Sequence, residues 1–262
     1  MTEERMRFVQ PILDTIENED IREFAVVLLD DIPEYIWHVP ASSTGKYHPE
    51  YSLGEGGLMR HQMAVVRFLN FFFELEQYNS KLTSREMDLM RVSGLTHDGM
   101  KSGSQEQFSR SKYTKFEHPI LMADKIRSYK GQYLADEELE LMADAISKHM
   151  GSWNTDKKSS VVLPKPNDKF SRMLHVADYL ASRKSLTMDF DNYIAEAPKK
   201  VEFDENYTLT FGKHTGEKLI DVYYEHPDYI AWMEGTISRR EVLNMIKAMK
   251  EFVNKKAPET NN

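Results

Sequence analysis

The sequence predicts an all-α protein up to about residue 190, followed by a small module of mixed α/β character. Two observations support this prediction. In the first 190 residues, apolar side chains recur at helical spacing in one segment after another. Beyond them, apolar and polar residues alternate from Val201 to Phe211, a pattern typical of a strand or a short hairpin. We therefore expect two domains, at residues 1–195 and 200–256.

The first half of the chain is predicted to contain at least three helical segments. Residues 1–40 have apolar positions near helical spacing, and a loop rich in glycine and serine then covers 40–57. A strongly amphipathic helix is predicted over 58–76. Thr83 has the sequence signature of an N-cap with a capping box, and the helix that it begins ends near His97.

The second half continues with a polar segment and further helices. Residues 99–116 are rich in serine and lysine, which predicts a loop over the site. Pro119 suits the first turn of a helix, so His118 stands at the start of that helix. The remaining predicted helices cover residues 136–150, 169–185, 218–224, 227–232 and 242–253.

Composition limits the classes of function that the chain can have. Its 262 residues carry a formal net charge of −8, which argues against a protein that coats nucleic acid with a broad basic surface. The absence of cysteine excludes disulfides, thiolate zinc sites and cysteine nucleophiles, so any metal must be held by nitrogen and oxygen. The charged N-terminus and short apolar runs predict no signal peptide and no membrane span, and we expect a cytoplasmic protein.

Six potential metal ligands lie in five separate segments, most of them on the apolar side of a helical pattern. They are His61, His97, Asp98, His118, His149 and Asp178. Such groups are costly to bury unless something compensates them, as a pair of divalent ions would. His97 and Asp98 can bind one ion together with His61 and Asp178, and the second oxygen of Asp98 can bridge to another. His118 and His149 would hold that second ion.

This ligand set indicates a class of chemistry. Two neighbouring divalent ions activate water and clamp phosphate oxygens, so the set predicts hydrolysis of a phosphate ester. Nitrogen and carboxylate ligands suit Mn, Fe, Co, Ni or Zn, and Mg where more oxygen is available. A single histidine on an apolar face is usually a hydrogen-bonded core residue, but five histidine and aspartate positions in register favour a metal site.

The order H…HD…H…H…D resembles the HD-domain metal-dependent phosphohydrolases, and the flanking residues strengthen the match. The matching segments are residues 56–61, 96–101, 117–119, 148–151 and 175–178. The resemblance implies an HD-domain helical bundle around the metals. The two additional histidines, His118 and His149, resemble the two-metal subset of the family, which includes phosphodiesterases, nucleases and a few di-iron oxygenases.

The same resemblance implies roles for further residues. Lys101, three positions after the candidate catalytic Asp98, would stabilise negative charge on the scissile phosphate. Residues 39–48 resemble exoribonuclease-like HD proteins, which implies that His48 lies near the mouth, where it could contact substrate or protonate a leaving oxygen. Arg60, Lys148 and Arg183 are candidates for a positive rim that contacts phosphate oxygens, although a solvated face explains them equally well. The other histidines are interpreted as follows: His175 supports the site from outside, and His38, His214 and His226 are structural.

Residues 209–233 resemble the C-terminal module of exodeoxyribonuclease X-like proteins, with the pattern F-G-K-x-x-G … P-x-Y-x-x-W. One interpretation is a packing module without catalytic groups. The other is that Lys213 and exposed aromatic side chains help to hold nucleic acid.

The sequence therefore predicts a two-metal phosphohydrolase that cleaves phosphodiester or phosphate ester bonds, with single-stranded nucleic acid or a nucleotide as its substrate. A nucleotide or cyclic-dinucleotide hydrolase is the alternative within this class. A di-iron oxygenase with the same ligands and a non-catalytic binding protein with a structural metal site are alternatives outside it. The identity of the metal and the oligomeric state stay open.

Overall fold

The structure is a computed structural model that describes residues 1–42, 45, 48–190, 203–237 and 240–256. These residues contain twelve α-helices and two 3-10 segments, and no strand is present among them. The all-α prediction for the first 190 residues is confirmed. Contacts divide the chain into two units: Met1–Glu74 with Arg85–Ala195, and Leu75–Ser84 with Glu196–Asn262. The predicted boundary at 195–200 lies outside the described residues.

The first unit contains eight of the helices. They are α1 (Glu3–Leu13), α2 (Glu19–Asp31), α3 (Gly57–Glu74), α5 (Ser84–Thr96), α6 (Gln105–Arg110), α7 (His118–Arg127), α8 (Asp136–Ser147) and α9 (Lys169–Ala181). The 3-10 segments cover Glu34–Trp37 and Glu50–Ser52. Helix α7 packs on α8, α8 on α9, and α9 on α3. Among the described residues, no helix is long and apolar enough to cross a bilayer.

Helix α5 lies at the centre of this unit, since every residue from Met87 to Thr96 is buried. Its buried polar side chains form hydrogen bonds within the unit. The hydroxyl of Thr96 donates to the carbonyl of Val92 (2.8 Å), and Asp88 accepts from the backbone nitrogen of Asn18 (2.8 Å). Because α5 is surrounded, the residues that follow its last turn emerge inside the unit rather than at its surface.

The start of α3 requires glycine. A Cβ atom on Gly57 would lie 2.3 Å from the carbonyl oxygen of Ser52, and Gly56 has a φ of 68°, which favours glycine. This close approach brings the loop at 50–53 against the first turn of α3. The glycine pair before His61 is therefore explained by packing.

One predicted loop proved to contain a helix. Residues 99–116 were expected to be irregular, but α6 forms within them, begun by a capping box between Ser104 and Gln107. The segment is also anchored from outside. The hydroxyl of Tyr35 donates to the carbonyl of Gly103 (2.7 Å) and accepts from the backbone nitrogen of Ser102 (2.8 Å). The ring of Phe108 stacks on Tyr35, with the ring centres 4.3 Å apart.

The second unit contains the other four helices. They are α4 (Glu76–Asn79), α10 (Leu219–Glu225), α11 (Pro227–Thr236) and α12 (Arg240–Lys256). Its core is formed by Leu209, Leu219, Val222, Ile230, Met233, Val242, Ile246 and Met249.

The expected mixed α/β character of this module is not found in its described residues. Pairing is limited to one antiparallel bridge, between Thr208 and Lys218, because α10 begins at the next residue. The alternating apolar residues, which predicted a strand, pack on the helical core instead; they include Tyr207 and Phe211. Val201 and Glu202, the start of the predicted strand, lie outside the described residues.

Candidate metal centre

The structure brings the six predicted metal ligands together inside the first unit. His61 lies in α3, His97 and Asp98 directly follow α5, and His118 is the first residue of α7. His149 follows α8 by two residues, and Asp178 lies in α9. Five of the six residues are at most 2% exposed, and the Asp178 side chain is 19% exposed. A partly open carboxylate gives the cluster its accessible side.

The ligand atoms form two groups that share Asp98. In the first group, Nε2 of His61 lies 3.0 Å from Oδ1 of Asp178 and 3.9 Å from Oδ2 of Asp98. Nε2 of His97 lies 3.6 Å from the same Asp98 oxygen and 3.7 Å from Oδ1 of Asp178. These separations place four potential ligand atoms around one point.

The second group uses the other oxygen of Asp98. Oδ1 lies 2.9 Å from Nε2 of His118 and 3.7 Å from Nε2 of His149. The two imidazole nitrogens are 3.3 Å apart. Atoms bound to one metal at about 2.0–2.2 Å lie roughly 3–3.5 Å from each other, so this spacing suits a common ion.

Backbone hydrogen bonds fix the orientation of three imidazoles. Nδ1 of His97 donates to the carbonyl of Gly94 (2.8 Å). In the same way, Nδ1 of His118 donates to Lys115 (2.7 Å), and Nδ1 of His149 donates to Ile146 (2.8 Å). In its neutral form, each ring presents the lone pair of Nε2 to the centre, which is the tautomer that a metal ion requires.

In this arrangement, hydrogen-bond acceptors face one another with no donor between them. Because Nδ1 carries the proton in His118 and His149, neither Nε2 atom can donate to the other or to Asp98. Nε2 of His97 and Oδ1 of Asp98 are buried without a hydrogen-bond partner among the described residues. Buried acceptors that converge in this way are costly unless a cation lies between them. The residues present therefore fit a divalent metal site.

Electrostatics favour ionised carboxylates and a neutral His149 at the centre, whereas Asp98 and Asp178 outweigh burial and raise the pKa of His97. Burial, together with His97 and His118, lowers the pKa of His149 to about 3, so this ring is neutral at pH 7. Burial alone would raise the pKa of Asp98, but Lys101 and His97 hold it well below its ordinary value. The neighbouring His61 and His97 likewise outweigh burial and lower the pKa of Asp178. The centre thus contains ionised carboxylates and a neutral imidazole, the forms that bind metal.

The two predicted catalytic residues outside the ligand set lie beside the centre. The ammonium of Lys101 forms an ion pair with Oδ2 of Asp98. The ring of His48 is half-buried, with its centre 5.8 Å from that of His61. Burial and the neighbouring His61 lower the pKa of His48 to about 4, so this ring is neutral at pH 7.

The three predicted substrate-binding cations lie in different surroundings. The guanidinium of Arg60 donates to the carbonyls of Leu53 (2.9 Å) and Glu55 (2.8 Å) and so binds the loop before α3. The ammonium of Lys148 donates to the side chain of Asn167 (2.7 Å) and connects the end of α8 to the segment before α9. Lys213 belongs to the second unit, and its side chain is exposed.

The sequence prediction named Arg183 but missed the two aromatic rings beside it, which lie next to the centre. Trp153 and Tyr179 stack in parallel, with ring centres 5.9 Å apart, and the guanidinium of Arg183 lies 4.2 Å from the Tyr179 ring centre. His175 joins this group to the centre, since Nδ1 donates to the carbonyl of His149 (2.7 Å) and the ring lies beside Trp153. For the rings, the signal in the sequence was the position of Tyr179 next to Asp178.

Part of the chain is similar to a known protein family. Residues 59–183 match the family described as HD domain, a segment that contains all six candidate ligands. HD domains are metal-dependent phosphohydrolases, and the buried histidine and aspartate groups of this chain are able to bind divalent metal. No curated protein and no solved structure matches the chain.

Proposed function

We propose that the HD domain of this chain is a two-metal phosphohydrolase that cleaves phosphodiester or phosphate ester bonds in single-stranded nucleic acid or nucleotides. The observation that carries the proposal is the position of Asp98, whose two oxygens face separate groups of ligand atoms. His61, His97 and Asp178 would hold one ion with Asp98, and His118 and His149 would hold the other. An imidazole-rich set favours Mn, Fe, Co, Ni or Zn over Mg, which prefers oxygen.

Bound ions would supply Lewis acidity toward a phosphoryl oxygen and lower the pKa of water. The residues of the chain provide charge and position. Lys101 balances the buried charge of Asp98, and when substrate is bound its ammonium can turn to a phosphate oxygen and stabilise the charge that develops there. His48, neutral at pH 7, suits a hydrogen bond to substrate better than donation of a proton to a leaving oxygen.

The stacked group formed by Trp153, Tyr179 and Arg183 supports a substrate with a nucleobase. Trp153 is 53% exposed and Tyr179 39%, so part of each ring is available to a ligand. Bases stack on exposed aromatic rings whatever their sequence. The guanidinium of Arg183, which lies over the Tyr179 ring, adds a positive charge that suits a phosphate backbone. The resemblances to exoribonuclease-like proteins and to the exodeoxyribonuclease X-like module favour single-stranded nucleic acid over a free nucleotide.

We expect metal-dependent hydrolysis of at least one substrate from a panel. The panel contains bis(p-nitrophenyl) phosphate, short single-stranded RNA and DNA, nucleotides and cyclic dinucleotides. Each is incubated with Mn²⁺ and with EDTA, and EDTA should abolish turnover because it removes the Lewis acid. The best substrate decides between nuclease and nucleotidase. Turnover that requires O₂ would instead indicate a di-iron oxygenase, and metal-loaded protein that turns over nothing would indicate a binding protein.

Removal of the stacked rings should affect oligonucleotides selectively. We expect Trp153→Ala and Tyr179→Ala to raise KM for a single-stranded oligonucleotide by about tenfold to a hundredfold, since stacking contributes about 1–3 kcal/mol per base. Hydrolysis of bis(p-nitrophenyl) phosphate, which has no base, should stay within about twofold.

Phe71→Ala is the matched control for this experiment, because Phe71 is an aromatic residue of α3 that is 56% exposed. It should leave both substrates unaffected. Equal losses on both substrates in the Trp153 variant would mean that this ring supports the fold of the centre and does not bind a base.

A further inference from the structure

A second cluster of potential metal ligands lies in the second unit, among residues that the proposed function does not use. It consists of His214, Glu217 and His226, whose ligand atoms all lie within 4.8 Å of one another. Nδ1 of His214 lies 3.0 Å from Oε2 of Glu217. The rings of His214 and His226 are 4.4 Å apart between centres and tilted by 34°. Two imidazoles and a carboxylate therefore meet at one point.

The backbone holds the first two of these residues in place. They belong to a turn that closes where the nitrogen of Gly216 donates to the carbonyl of Leu209 (2.7 Å) and the nitrogen of Leu209 donates to the carbonyl of Glu217 (3.0 Å). Gly216 has a φ of 88°, a conformation that favours glycine. The tight closure of this turn fixes the distance between His214 and Glu217.

Tyr229 fixes the turn against the start of α11. Its hydroxyl accepts from the backbone nitrogen of Lys213 (3.2 Å), and a Cβ atom on Gly212 would lie 2.2 Å from that hydroxyl. The Tyr229 ring also packs on His214, with centres 4.6 Å apart. His226 directly precedes α11. The three potential ligands are thus positioned by the fold of this unit.

Burial and charge distinguish this cluster from a surface ion pair. His214 is only 5% exposed, whereas Glu217 and His226 reach solvent, so one ligand is fixed and the others are accessible to an incoming ion. The ammonium of the nearby Lys218 is directed to the side chain of Asn206 (3.0 Å). Two nitrogen ligands and one carboxylate suit Zn²⁺, with a fourth position left for water, and suit Ca²⁺ or Mg²⁺ poorly.

We infer that His214, Glu217 and His226 form a separate binding site for a transition-metal ion, represented by Zn²⁺. A bound ion would connect the turn at 212–217 to the start of α11 and stabilise the second unit. The site shares no residue with the HD centre, so the inference does not depend on the proposed function.

The test measures zinc content and hydrogen exchange on the full chain. After equilibration with Zn²⁺, the wild-type chain should retain one more equivalent than His226→Asn, and Glu217→Gln should lower the affinity of that equivalent by about tenfold or more. Zn²⁺ should protect amides of residues 207–230 from exchange in the wild type and not in His226→Asn. Ions bound at the HD centre appear in both proteins and cancel in the difference.

His38→Asn is the control, since His38 is also an exposed histidine beside a carboxylate, 2.9 Å from Glu55. It should retain the wild-type zinc content. Equal zinc content in the wild type and His226→Asn, or protection at 207–230 that is unaffected by Zn²⁺, would overturn the inference. His226, Glu217 and His38 are all exposed side chains. Hydrogen exchange in metal-free buffer that matches the wild type would show that the three variants fold normally.

Discussion

Asp98→Ala is expected to lower kcat/KM by about 10³- to 10⁴-fold and to remove metal from both ligand groups. Asp98 offers one oxygen to each group, with Oδ2 facing His61 and His97 and Oδ1 facing His118 and His149. The loss of its charge leaves four imidazoles and one carboxylate, a set that binds two cations weakly. Metal-supported transition-state stabilisation of several kcal/mol disappears with the ions.

The measurement combines kcat/KM on the best substrate with metal content by elemental analysis. Asp88→Asn is the matched control, because Asp88 is a fully buried carboxylate of the same unit that is paired with Arg91 and lies outside both ligand groups. It should cost about 3–5 kcal/mol of unfolding free energy, as the removal of one partner of a buried ion pair does. Its folded fraction should keep its metal and its rate.

Two outcomes would contradict the proposal. An Asp98→Ala protein that keeps both ions would show that Asp98 does not join the groups. Equal losses of rate in the Asp98 and Asp88 variants, in proportion to unfolding, would show that Asp98 acts through stability alone.

The metal ligands could be predicted from sequence because they are polar residues that interrupt the apolar face of a predicted helix. A histidine such as His61 on an apolar stripe, or a carboxylate beside Ala177 and Ala181, is visible without any knowledge of the fold. The adjacent pair His97 and Asp98 is likewise visible at the end of a predicted helix, and the burial of α5 in the structure places that end inside the unit.

Features that depend on contacts between distant segments could not be predicted in this way. The stacking of Trp153 on Tyr179 joins residues 26 positions apart in sequence, and neither lies on a recognisable pattern. Local backbone bonds determine which imidazole nitrogen faces the centre, as in the bond from His118 to Lys115. The alternation before residue 212 indicated a strand because packing on helices can produce the same period of two.

The number of ions is tested by a histidine that belongs to the second group alone. His118→Ala should lower the metal content from two ions per chain to one and reduce kcat/KM by about 10²- to 10³-fold. Nε2 of His118 is 2.9 Å from Oδ1 of Asp98 and 3.3 Å from Nε2 of His149, so its removal leaves only two ligand atoms in that group. The first group keeps His61, His97 and both carboxylates.

His175→Asn provides the comparison, because His175 contacts the backbone of His149 and donates no ligand atom to either group. It should keep both ions, and any loss of rate should be small. A domain of the simpler H…HD…D type would bind one ion in the wild type, and His118→Ala would then leave metal content and rate nearly unchanged. Because His118 contacts Asp98 and His149 and belongs to the second group alone, these variants separate a one-ion from a two-ion enzyme without changing the ligands of the first ion.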